Sequence, residues 1–105
     1  MATGNIAIAD HRAVPRDEVH YRARAYGPDA RMLSLLIVNL SAQGLMARTE
    51  LDLEVGARLR IILPVVGVVA AEVRWSLGGR IGCEFARAIP MAEYYGMLST
   101  LLRSV

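Results

Sequence analysis

Between Val19 and Phe85 the chain is a series of short runs, alternating or rich in Leu, Ile and Val, each closed by turn-forming residues, and after Pro90 the period changes once, to three and four. Few folds satisfy both halves of that pattern. Val19, Tyr21, Ala23 and Ala25 share one face, and His20, Arg22, Arg24 and Tyr26 share the other, which is the period of a half-buried strand. Further strands are predicted at Met32–Val38, Leu45–Thr49, Arg58–Leu63, Val66–Ser76 and Arg80–Phe85. They are separated by Gly27-Pro28-Asp29, the segment Asn39–Gly44, Val55-Gly56, Pro64 and Gly78-Gly79. The glycine pair is a hairpin signal, because it supplies positive φ without a steric penalty. Met91, Tyr94, Tyr95, Leu98, Leu101, Leu102 and Val105 then recur at helical spacing, which predicts an amphipathic helix over Met91–Arg103. Its Met and Tyr stripe is read as contact with a sheet. The expected fold is mainly β: a six-stranded antiparallel β-barrel with a C-terminal α-helix covering an opening.

With 105 residues, of which 54% are hydrophobic, there is material for one compact core and one domain. Residues 1–10 carry little pattern and are expected to form a flexible arm ahead of a domain over 11–105. The opening segment lacks a basic start and a long apolar stretch, so it does not read as a secretory signal. The longest apolar runs are interrupted by Arg, Ser, Pro or Gly, far short of a membrane span. A cytoplasmic protein with no membrane insertion is expected.

The single cysteine, Cys83, excludes an internal disulfide and any multi-cysteine metal site, and His11 and His20 have no partners at ligand spacing. No metal and no cofactor are expected. There is no nucleophile with a base at hand and no paired carboxylates. Glu72 and Glu84 could face each other across the glycine hairpin, but they read as solvated strand residues. The chain is therefore not expected to be an enzyme. The net charge is only +2, and no block of basic residues or exposed aromatic platform is visible, which disfavours nucleic acid as a partner. All twelve basic residues are arginine. That choice fits either a GC-rich genome or a use for planar guanidinium groups on phosphates and bases, and composition does not choose between them.

Two clusters carry chemistry. Arg12-Ala-Val-Pro-Arg16 places two guanidinium groups four residues apart on a proline-containing loop, where they can bind phosphate oxygens or a guanine edge in paired fashion. Asn39-Leu-Ser41-Ala-Gln-Gly44 is a polar turn between apolar strands, with short donors and acceptors near the backbone. Gly44 is expected to take a positive φ. In this order, RxxxR followed by [DN]xSxxG, the two clusters resemble the signature of the PilZ domain family. Val55-Gly56, Val73-Arg74-Trp75 and Arg80-Ile-Gly82-Cys-Glu-Phe85 also look like that family, so the resemblance spans about Asp10 to Leu102.

The resemblance implies a PilZ-type barrel in a single stand-alone bacterial receptor for the second messenger cyclic di-GMP. Arg12 and Arg16 would bind phosphates and guanine edges, and Asn39, Ser41 and Gly44 would lie beneath the ligand. Asn39 stands where the family also uses Asp, so the charged acceptor for the guanine N1 and N2 donors is missing at that position. A receptor without an effector domain would relay its signal to a downstream protein partner. The alternative is a PilZ-like interaction module that does not bind the nucleotide. Such members typically lack the arginines that are present here.

Overall fold

The structure is a computed structural model that describes residues 16–103, the side chain of Arg103 excepted. Arg12, Pro15 and the arm expected over residues 1–10 lie outside the described residues. The elements are β1 (Asp17–Tyr26), β2 (Met32–Leu40), β3 (Gly44–Arg48), β4 (Arg58–Leu63), β5 (Gly67–Leu77), β6 (Arg80–Phe85) and α1 (Met91–Arg103). All strand pairs are antiparallel, and the sheet closes as a barrel in the order β1-β2-β3-β6-β5-β4, through Ala25 opposite Ile61 and Tyr26 opposite Arg60. Closure leaves no free sheet edge.

Alternation decides which side chains fill the barrel. Ala23 and Ala25 of β1, Leu35 and Ile37 of β2, Leu59, Ile61 and Leu63 of β4 and Ile81 of β6 are buried in one continuous core. The helix lays Tyr94, Met97 and Leu101 against that core. Its bounds, and those of β4 and β6, fall where the sequence pattern predicts them. None of the described helices is long and apolar enough to cross a membrane.

Three departures from the expected strands matter for function. β2 runs on through Asn39 and Leu40, and β3 begins at Gly44, so the turn between them is only Ser41–Gln43. Asn39 pairs with Glu18 on one side and Met46 on the other, which holds it in the ladder despite its turn-forming character. Register shifts occur between Ile37 and Asn39 in β2 and between Val73 and Trp75 in β5, so Val38 and Arg74 are extra residues on their strands. Each such bulge shifts the alternation by one residue.

Gly44 does not have a positive φ; among the described residues the positive-φ glycines are Gly56, Gly67, Gly78 and Gly79. Its requirement is proximity. A Cβ at Gly44 would overlap the carbonyl oxygen of Cys83 and stand 3.3 Å from the Cα of Glu84, on the adjoining strand β6. The glycine hairpin behaves as expected, with φ of 60° at Gly78 and 80° at Gly79.

Candidate functional site

The Ser41–Gln43 turn is built around one hydroxyl. Ser41 Oγ accepts hydrogen bonds from the backbone N–H of Gln43 at 3.1 Å and of Gly44 at 3.2 Å, and the Ser41 N–H donates to the Gly44 carbonyl at 2.9 Å. Neighbouring elements then fix the turn from outside. Phe85 N–H donates to the Gln43 carbonyl and Ile89 N–H to the Ala42 carbonyl, each at 2.8 Å. Tyr94 Oη of α1 faces two acceptors, Asp17 Oδ2 at 2.5 Å and the Leu40 carbonyl at 3.0 Å, and its single hydrogen is shared between them. Asp17 directly follows Arg16, so this phenol joins the helix to both strand ends that carry the predicted site. Burial and the bonded carboxylate raise the Tyr94 pKa, which keeps the phenol protonated as donor.

Beside the turn is a cleft of about 190 Å³. Arg16, Asn39, Ser41 and Gly44 all line it. Four of the five sequence-predicted residues are thus brought together from two separate stretches, and Arg12 lies outside the described residues. Their roles differ. Arg16 is exposed, and among the described residues it has no ion pair. The Asn39 side chain, half-buried, has no hydrogen-bond partner among the described residues, which leaves its amide open to an incoming group. The Ser41 hydroxyl is turned into the protein and shapes the turn. Gly44 keeps the floor flat.

Sequence reasoning did not single out the opposite wall as a site. Arg74, Trp75 and Glu84 line the cleft too. Normal alternation would send either Arg74 or Trp75 into the barrel. The bulge at Arg74 puts both outside, in succession. Trp75 packs on Gly82, where a Cβ would collide with the indole, and still exposes 40% of its surface. The expected absence of an exposed aromatic is therefore corrected, and the cause is the inserted residue. An adjacent Arg-Trp pair at a strand end was the available signal. Arg74 Nη1 lies 2.8 Å from Glu84 Oε1, on the solvent side of the same wall. Cys83 forms part of the floor. Burial pushes its thiol up to about 12, so it is neutral and unreactive at physiological pH.

Register also arranges charge. Arg22, Leu36, Arg48 and Arg80 are successive register partners across β1, β2, β3 and β6. The barrel thus assembles a basic row from residues that form no block in the chain. Among the described residues, no group of three His, Cys, Asp or Glu could hold a metal ion.

The combined site offers an exposed guanidinium, an open amide, a flat glycine floor and an aromatic face. That set suits a ligand carrying phosphates and planar bases. The family model of the PilZ domain matches residues 10–104. Comparison with curated proteins returned no match. Among solved structures, the chain is similar to the PilZ domain with c-di-GMP of YcgR from Escherichia coli, at a TM-score of 0.63 and 19% identity, covering 90% of this chain and 94% of that one. It is equally similar to the Bacillus subtilis inhibitor of motility MotI/DgrA, with a TM-score of 0.63, 19% identity and 90% of this chain covered. The match takes in 51% of the Bacillus protein, so the chain spans about half of its length.

Proposed function

The chain belongs to the PilZ domain family, and from that premise we propose that it binds cyclic di-GMP in the cleft beside Ser41–Gln43 and passes the signal to a partner protein as a small receptor. The observation that carries this reading is the convergence of Arg16, Asn39 and Gly44 on one cleft with an exposed indole. The ligand has two phosphates and two guanines. Arg16 would bind a phosphate or a guanine Hoogsteen edge in paired fashion. Trp75 would stack on a base, an interaction worth roughly 1–3 kcal/mol.

The cleft alone is too small for a dinucleotide. Its 190 Å³ falls below the roughly 300–1,000 Å³ of pockets that enclose a small ligand. Arg12, which lies outside the described residues, would add a second guanidinium to the ligand.

Calorimetric titration with cyclic di-GMP tests the reading. Arg12→Ala and Arg16→Ala are each expected to weaken binding by about tenfold to a hundredfold, since a hydrogen bond to a charged group contributes about 1.5–3 kcal/mol. Arg31→Ala is the control. It removes the same charge from the β1–β2 turn, at the opposite end of the barrel, where Arg31 is paired with Asp29. Equal titrations of Arg16→Ala and Arg31→Ala would place the site elsewhere. No heat from the unmutated chain at excess ligand would favour the nucleotide-free interaction module.

A further inference from the structure

We propose that the Arg74–Glu84 pair is a guanine reader: Glu84 accepts hydrogen bonds from the Watson–Crick edge of one guanine, and Arg74, released from it, donates to the ligand. The inference rests on the cyclic di-GMP reading above and adds the residues that set its base preference.

Three features of the wall point this way. Both side chains line the cleft and are more than half exposed, at 59% for Arg74 and 57% for Glu84, so both are within reach of a ligand. Arg74 stands outside only because β5 carries a bulge there, which also places it next to the exposed Trp75. A base stacked on that indole would present its edge to residues on the same wall. Finally, Glu84 is the register partner of Gly44, whose missing side chain leaves the floor open in front of the carboxylate.

The chemistry is selective. An ionised carboxylate only accepts. The Watson–Crick edge of guanine presents two donors side by side, N1–H and the N2 amine, which match two carboxylate oxygens. Adenine has an acceptor at N1 and no N2 amine, so it would leave Glu84 facing a lone pair. This carboxylate fills the need that Asn39, an amide, does not meet. In the free protein the two side chains neutralise each other at 2.8 Å. An exposed pair of this kind contributes little to stability, so exchanging it for ligand contacts carries a small penalty. Arg74 then becomes a cation beside the ligand, with the planar fork that suits phosphate or the guanine O6 and N7.

The test titrates the full chain, Arg74→Ala and Glu84→Gln with cyclic di-GMP and with cyclic di-AMP, and records thermal melts of all three. Arg74→Ala should weaken cyclic di-GMP binding by about tenfold or more. Glu84→Gln should reduce the preference for cyclic di-GMP over cyclic di-AMP by about tenfold, because an amide supplies one acceptor where the carboxylate supplies two. Both variants should melt with the unmutated chain. Arg74→Lys should restore little, since an ammonium lacks the fork. If the unmutated chain binds and both variants match it in affinity and base preference, the pair is a solvated surface contact and the proposal falls alone. If the unmutated chain does not bind cyclic di-GMP, the proposal and the function above fall together.

Discussion

The turn at Ser41–Gln43 and the turn at Gly78–Gly79 both reverse the chain between antiparallel strands, but different forces hold them. The glycine turn is local. Its backbone adopts φ of 60° and 80°, its residues are exposed, and one bond from outside, Thr49 N–H to the Gly79 carbonyl at 2.9 Å, touches it. The serine turn draws on the rest of the molecule. Its hydroxyl is buried, two of its carbonyls accept from Phe85 and Ile89, and the strand leading into it is bonded by Tyr94 of the helix. The serine turn lines the cleft and the glycine turn does not. A loop braced by several elements can hold ligand groups at fixed positions, and it can also convey a change at the site to the helix.

Mutations can break that comparison. The largest effect is expected from Gly44→Ala, where the new Cβ meets the Cys83 backbone rather than a movable side chain. A strand must shift, so a loss of roughly 2–3 kcal/mol is expected in denaturant unfolding, together with weaker cyclic di-GMP binding. An unchanged midpoint would mean that β3 and β6 are not as closely apposed as described. Tyr94→Phe comes next. It removes the donor to the buried Leu40 carbonyl and the partner of Asp17, for about 1–2 kcal/mol. If ligand affinity falls with stability in this variant, the helix is linked to the site; if only the melting temperature falls, the phenol is a brace. Gly79→Ala is the smallest, at about 1 kcal/mol for an L-residue held at positive φ, with binding unaffected. A larger loss at Gly79 than at Gly44 would reverse the assignment of local and braced turns.

How much could be read in advance follows the same division. β4, β6, α1 and the glycine hairpin were legible to the residue, because each is specified by neighbours within a few positions: alternation, a proline stop, a glycine pair, a 3.6-residue period. The arginine pair and the Asn-Ser-Gly stretch were legible as a family motif, and Arg16, Asn39, Ser41 and Gly44 line one cleft in the structure. Their separate tasks were not legible. Nothing in the motif says that the Ser41 hydroxyl also closes the turn, accepting from the Gln43 and Gly44 N–H groups. Gly44 looked like a residue chosen for φ, but what it avoids is a carbonyl 39 residues further along the chain.

The sequence by itself determined the strands, the helix, the one-domain barrel and the family, since periodicity and short motifs are local properties of the chain. Only the tertiary structure decided which strands close the barrel, that Asn39 belongs to the ladder, and that Arg22, Arg48 and Arg80 stand in one row. It also decided that Arg74 and Trp75 share the outer face. The physical reason is that register is a relation between strands: one inserted residue at Arg74 moves a side chain from the core to the cleft, and no pattern within β5 alone says that the insertion is there.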